Sequence, residues 1–493
     1  MPLPIELFMR EYYEPRLLSR IIGGEKFKQI TALTDLNRTQ PEVAIMQVFK
    51  NEEKEDQVSV TIKIADVVKN KTDKNGTSFE QWSGAYDLRV FRDGQLVGYF
   101  PDEAGKIEVD HATKSRLVTF NDIKLPSGTK NDSITFSAYA FNKDKVKSTT
   151  AKYEFPITKS LGKRRSRAYI IAIGVNAHEN PSWDLRYAAN DAVAINSIVK
   201  NQLEKTGVFD EIISIPLISR YSSDTTPKKK LEANPVTKAM IKEVFARLAG
   251  ETTGSEKLLK IIPNAVNLKQ ATPDDMLLIS YSGHGLADEN RQFHLFPYDI
   301  GMGSNRVVDD ELLHHTISSD NLSLWLRDVD AGEIIMIIDA CNSAASVEGE
   351  DFKPGPMGSR GLGQLAYDKR MRILAASQAE AVALESDLIK HGVLTYALIQ
   401  EGLEAERADH EPKDKRIFAG EWLTYGEARV PELYRLIRSG QADKLANSVG
   451  QKGQIYHFTP DSINKKERSI NVQQPTLFDF TKNESDFVLT ILK

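Results

Sequence analysis

The 493-residue sequence predicts an α/β domain with a mostly parallel sheet flanked by helices, preceded by an all-β sandwich and followed by a C-terminal extension. Three observations lead there. Residues from Val58 to about 142 alternate apolar and polar positions between turn signals, as short antiparallel strands do. From Ala168 the pattern changes to continuous apolar runs separated by helical periods, as in buried parallel strands with crossover helices. The chain is also longer than a single core usually serves, so several domains are expected.

Residues 1–56 show no clear period, and no structure is predicted for them. VSVTIKI (58–64) sets Val58, Val60, Ile62 and Ile64 on one face of a strand. In YDLRVFRDGQLVGYF (86–100), Asp93-Gly94 separates two strand-like runs and predicts a hairpin, because both residues tolerate positive φ. RLVTFNDIKL (116–125) and SITFSAYAFN (133–142) continue the series, giving a sandwich over 57–160. Nothing in it looks catalytic. A binding or bracing module is the role it suits, with a regulatory protein as the candidate partner.

After the basic linker GKRRSR (162–167), AYIIAIGVN (168–176), EIISIPLI (211–218), DMLLISYS (275–282), EIIMIIDA (333–340) and MRILAAS (371–377) read as strands. Helices are predicted at 188–207, at 234–250 with Asn234 as N-cap and Pro235 at the first helical position, at 321–332, and at 392–403. The segment 347–370, rich in Gly, Pro and charge, is expected to be a mobile loop. The core domain is assigned to 167–403. In the extension, 404–493, one helix is legible, EWLTYGEARVPELYRLIR, which Pro431 should break or kink.

The net charge of −5 favours neither nucleic acid nor an anionic membrane as partner. No apolar run approaches the roughly 20 residues of a membrane span, and no secretory signal opens the chain. A single cysteine excludes internal disulfides and points to a reducing, cytoplasmic setting. Neither a dinucleotide fingerprint, a phosphate-binding loop nor an HExxH zinc motif occurs, so no cofactor is required on these grounds. His314 and His315 read as helix-surface residues, and His178 as surface or pocket rim.

That cysteine, Cys341, ends the apolar run of IIMIIDACNSAAS (334–346), and SYSGHG (280–285) delivers His284 between two glycines at the end of another strand. A thiol attacks as its thiolate, and histidine is the usual group to take its proton near neutral pH. The pair is therefore a candidate catalytic dyad. The flanking glycines would let backbone approach a substrate closely, and the N–H groups of Gly285 and Cys341 are candidates to receive a developing oxyanion. Asp339 lies two positions before Cys341, on the same side of the strand, where its charge would raise the thiol pKa. It makes better sense as a receptor for a positive group on the substrate. The bland alternative is an acid that caps the helix after the strand.

LRYAANDA, YSGHG and DACNS, in that order, resemble the caspase-like cysteine peptidases, specifically their metacaspase and bacterial caspase-homologue branch; HGVLTYAL (391–398) adds to the likeness. The resemblance implies a caspase-hemoglobinase-like fold and an endopeptidase whose catalytic dyad is His284 and Cys341. It also implies a pocket for a basic residue lined by Asp191, Ser282 and Asp339, hence protein or peptide substrates cut after Arg or Lys. A regulated bacterial stress, defence or cell-death role is a further implication; the alternative is a catalytically silent caspase-fold scaffold. Departures are Asn342 and Ala188, where metacaspases usually carry histidine and cysteine. VVDDEL (307–312) resembles the calcium-binding acidic segment of metacaspases, which makes Asp309 and Asp310 candidate calcium ligands. A helix dipole explains an acid pair starting a helix equally well. Lys353, Arg360, Lys369 and Arg370 lie where caspase relatives are cut, and are candidate processing sites. QQPTLFDF (473–480) and the sandwich resemble flanking segments of bacterial caspase-like proteins.

Overall fold

The computed structural model describes residues 35–51, 53–72, 76–101, 105–127, 133–157, 162–222, 230–252, 254–288, 292–302, 308–342, 360–376, 385–386, 389–410, 412–438, 473–481 and 486–492, with Ile21 and Ala32. The chain forms two compact units, Met1–Arg164 and Arg165–Lys493.

The first unit is antiparallel throughout. Strands β1 (Glu42–Lys50), β2 (Gln57–Ala65) and β7 (Ser115–Lys124) make one sheet in the order β1-β2-β7. Strands β5 (Tyr86–Arg92), β6 (Gln95–Phe100), β8 (Ser133–Phe141) and β9 (Ala151–Pro156) make the other, ordered β6-β5-β8-β9. A separate hairpin pairs β3 (Val68–Thr72) with β4 (Ser78–Trp82). Val58, Val60, Ile62 and Ile64 are fully buried in one cluster with Leu88, Val90, Phe136 and Ala138, which is the core their alternation foresees. Asp93 and Gly94 turn the β5–β6 hairpin with φ of 48° and 82°, the left-handed pair that such a tight turn needs. Strand β1 lies within residues 1–56, for which the sequence predicts no structure. It buries Val48 and half-buries Val43 and Ile45 against the same core, and a register shift between Ile45 and Gln47 breaks the alternation that would reveal it.

In the second unit, strands β10 (Arg167–Val175), β11 (Glu211–Ser219), β12 (Met276–Ala287), β15 (Glu333–Asn342), β16 (Arg372–Ala375) and β20 (Thr476–Asp479) stand in the order β11-β10-β12-β15-β16-β20. All pair in parallel except β20, which runs antiparallel to β16. Strands β13 (Phe293–Leu295) and β14 (Ile317–Ser318) continue from β12 as antiparallel additions. Short pairs form between β17 (Glu385–Ser386) and β18 (His391–Gly392), and between β19 (Arg416–Phe418) and β21 (Val488–Ile491).

Helices cover both faces of this sheet. On one side lie α1, whose segments Ala188–Ala194, Ile195–Val199 and Lys200–Thr206 are continuous, α6 (Val393–Tyr396, continued by Ala397–Glu404) and α7 (Ala419–Arg438). Ile195, Leu398 and Trp422 from these helices share a core cluster with Ile170, Leu278, Ile335 and Leu374 of the sheet. On the other side, Ile241 and Phe245 of α2 (Lys238–Ala249) and Leu322 of α4 (Ser319–Arg327) meet Ile279, Met336 and Ile338. Gly207 and Gly250 end their helices with φ of 62° and 97°, as read from sequence. The N-cap of α2 is Thr237, whose hydroxyl accepts from Met240 N–H, so Asn234 and Pro235 precede the helix instead of starting it. Within the predicted loop 347–370, residues Arg360–Lys369 form helix α5; the earlier part lies outside the described residues. Helix α7 runs through Pro431.

The C-terminal extension is built into the sheet. Arg372, 3% exposed, binds Glu333, Asp479 and Asp486, two of them at 3.1 Å, and so ties β20 and the approach to β21 to the sheet edge. Among the described residues no helix is long and apolar enough to cross a membrane.

Candidate active site

The sheet itself assembles the site. Strand β10 leaves its neighbour β12 at the Gly174–Ser282 pair, and β16 leaves β15 at Ile338–Ala375. Strands β12 and β15 go on alone, pairing Ser282 with Asp339, Gly283 with Ala340, His284 with Cys341 and Gly285 with Asn342. His284 and Cys341 therefore lie on the strands, not beyond their ends as the sequence suggests, and face each other across one rung of a parallel ladder. For Cys341 and Asn342 the description is confined to the backbone.

His284 is buried, and its Nε2 lies 2.8 Å from the carbonyl oxygen of Trp183. A carbonyl only accepts, so Nε2 carries the proton and Nδ1 is the basic nitrogen of the neutral ring. Trp183 closes a short 3-10 turn, Pro181–Trp183, capped by Asn180, whose side chain accepts from Ser182 N–H. Its ring packs edge-on against His284 at 5.5 Å and against Phe296 at 5.2 Å. The Tyr281 hydroxyl lies 2.9 Å from the His284 carbonyl and 2.8 Å from that of Phe296, which fixes the backbone beneath the imidazole. The two glycines serve packing. A Cβ on Gly283 would sit 2.6 Å from the Tyr281 hydroxyl, and one on Gly285 would sit 2.8 Å from the Phe293 ring and 2.9 Å from Ala340. His178 is buried with its ring 5.5 Å from that of His284, so it is neither surface nor rim.

Asp191 comes from the first turn of α1. Gly174 on β10 allows this, since a Cβ there would stand 2.5 Å from the Ala188 carbonyl oxygen and 2.7 Å from Ala192 Cβ. The small residues of AANDA thus bring the helix close enough for Asp191 to reach the sheet. Its carboxylate accepts from Ser282 Oγ at 2.7 Å, from Gly392 N–H at 3.1 Å and from His391 Nδ1–H at 2.9 Å. Burial pushes the Asp191 carboxyl above its ordinary range, and the bonds from His391, Ser282 and Gly392 oppose the shift.

Asp339, also buried, accepts from Thr395 N–H at 3.1 Å and Thr395 Oγ at 2.9 Å. It does cap a helix, though a different one from the helix expected after its own strand: the start of α6, some 56 residues further on. Gly392 fits between the two acids. A Cβ on it would fall inside the van der Waals shell of Asp339 Oδ2 and 3.1 Å from Asp191 Oδ2. Two buried carboxylates, one serine and the N-terminus of α6 thus converge beside the His284–Cys341 rung.

Sequence reasoning did not place the Trp183 carbonyl, His391, Gly392 and Thr395 in this site. Most of these act through backbone atoms, which no residue pattern advertises. His391 stood in a quoted segment, but nothing in its spacing gave it a task.

Other candidate residues lie apart. Asp309 caps the short helix α3 (Asp310–His315), accepting from Leu312 N–H at 2.9 Å. No group of three metal-binding side chains occurs among the described residues, and Asp309 serves the helix start, the other reading of the pair. Lys369 is buried at the end of α5 with its ammonium donating to the Val329 carbonyl at 2.9 Å. Arg370 follows at a left-handed turn with φ of 56°, and Arg360 starts the same helix. Lys369 and Arg360 thus lie in a helix and Arg370 in the turn that follows it. Lys353 lies outside the described residues.

The model of the caspase domain matches residues 166–415, just over half of the sequence. No curated protein matches the chain. The match begins at the first strand of the sheet and runs past α6, so it takes in the paired β12–β15 rung and every residue of the acidic pocket. With a mostly parallel sheet between two helical layers and that match over more than half its length, the chain belongs to the caspase-domain family of peptidases.

Proposed function

We propose that the protein is a cysteine endopeptidase that cleaves after arginine or lysine, with Cys341 as nucleophile and His284 as its base. The observation that carries the reading is the pair of buried carboxylates, Asp191 and Asp339, meeting at Gly392 beside the His284–Cys341 rung. Burying two acids together is costly unless something positive joins them, and a substrate cation meets that need.

In this reading His284 Nδ1 takes the thiol proton while Nε2–H stays on the Trp183 carbonyl, which holds the ring through both protonation states. The Cys341 sulfur adds to the scissile carbonyl, and the N–H groups of Gly285 and Cys341 receive the negative oxygen. The imidazolium then returns its proton to the leaving amine, and water hydrolyses the thioester by the same route. Asp339 faces the substrate's cation and the start of α6, so its charge is already engaged when the thiolate forms.

Fluorogenic peptides ending in Arg, Lys or Asp, assayed with and without calcium, test the reading. Arg and Lys peptides should turn over, and Cys341→Ala should lower kcat by more than about a thousandfold. Preference for Asp peptides would refute the pocket and leave the dyad standing. Absence of turnover together with an unreactive Cys341 would favour a scaffold.

A further inference from the structure

Asp191 is already occupied. A carboxylate offers about four lone-pair sites, and here Ser282 Oγ, Gly392 N–H and His391 Nδ1–H use most of them. Ser282 and Gly392 are buried, whereas the His391 side chain keeps 16% of its surface in solvent. Of the three donors, His391 is therefore the one at the mouth. A guanidinium needs two adjacent acceptor sites for its fork, and the resting carboxylate lacks them while His391 is in place.

We propose that His391 is a specificity-determining residue of this pocket: its Nδ1–H holds Asp191 while the pocket is empty, and the substrate's cation must displace it to bind. The inference rests on the basic-pocket reading above. The groups facing His391 favour its holding Asp191. Asp191 approaches from α1, Asp339 from β15 stands against the adjoining Gly392, Ser386 on β17 is the backbone register partner of His391, and Lys390 precedes it in the chain. Asp191 and Asp339 both meet Gly392 beside it, so the Nδ1–H of His391 keeps the Asp191 carboxylate from standing bare. It also lets weakly cationic or neutral side chains gain nothing, because only a full positive charge repays its removal. The cost appears as a reduced apparent affinity, since only the fraction with His391 swung out is competent to bind.

The test uses the full chain with Cys341→Ala, so that peptide binds without being cut. Affinities are measured by fluorescence anisotropy at about pH 8 for a peptide ending in arginine and one ending in citrulline, its uncharged near-isostere. Adding His391→Ala should tighten the arginine peptide about tenfold and leave the citrulline peptide unchanged, because the displacement cost has gone. Adding His391→Arg, a tethered competitor, should weaken the arginine peptide at least about tenfold. In the parent protein, the imidazole resonances of His391 should shift on saturation with the arginine peptide; this measurement stands even if a variant fails to fold. Arginine preference with unmoved His391 resonances, or with affinity unaltered by His391→Ala, would overturn the inference alone. Equal binding of arginine and citrulline peptides by the parent would overturn the basic pocket, and the inference with it.

Discussion

At the scale of single residues, the titration of Asp191 gives the sharpest expectation. Burial raises its pKa, so the carboxylate is lost as pH falls through a point above the usual range, and cation affinity is present above that point and absent below it. KM for arginine peptides should accordingly rise on acidification earlier than an exposed carboxylate would dictate. Asp191→Asn should show a high KM that no longer changes with pH in this window, as steady-state kinetics on the two proteins would reveal. If the two proteins share one pH profile, Asp191 does not carry the cation. The thiol and the imidazole were legible as residues because each is chemically conspicuous: a lone cysteine, and a histidine between glycines. The glycines have a packing reason that the sequence did not disclose, since Gly283 and Gly285 make room for Tyr281, Phe293 and Ala340. The Trp183 carbonyl and the Thr395 N–H could not be read at all, because every residue owns such groups and only the fold decides which of them matter.

At the scale of elements, α1 positions the pocket and Gly174 positions α1. Gly174→Val should push the helix outward and carry Asp191 away from Ser282, lowering kcat/KM on arginine peptides by about a hundredfold. Thiol alkylation of Cys341 should proceed at the parental rate, because β12 and β15 do not depend on that contact. A parallel loss of alkylation would show that the change spreads through the sheet instead. Apolar runs of β10, β12 and β15 were legible because both faces of these strands are buried. Strand β1 was not, because a register shift after Ile45 breaks the alternation of its inward side chains, and neither was α5, whose Gly-containing sequence suggests a loop until Leu362, Leu365 and Ala366 find cover. Strand β20 presents a similar case. QQPTLFDF was noticed for its likeness, but four residues pairing antiparallel on β16 leave no period to detect.

At the scale of the whole molecule, stability should depend on a shared proton at the C-terminal joint. Three acids, Glu333, Asp479 and Asp486, surround the single guanidinium of Arg372, and burial first, with the two aspartates adding, pushes the Glu333 carboxyl up to about 7 against the pull of Arg372. A folded-state pKa above the unfolded one adds stability that is complete below the ordinary glutamate range and disappears as pH rises through about 7. Tm of the 165–493 unit should therefore fall between about pH 4.5 and 7, by a contribution on the order of 3 kcal/mol at most, and Glu333→Gln should flatten the fall. Calorimetry of the full chain should also resolve two transitions, one for each compact unit, with a fragment starting at 165 keeping one of them at its original temperature. A single transition for the full chain would contradict this.

The rung that sets His284 opposite Cys341 has one more consequence. Neighbouring strands stand about 4.8 Å apart whatever their side chains, and the same ladder that pairs His284 with Cys341 pairs Ser282 with Asp339 two rungs earlier. In the proposed reading, the cutting pair and part of the substrate's socket therefore share one support, and only the partners supplied by residues 391–395 come from elsewhere. A slip of β15 against β12 by a single residue would blunt blade and socket together.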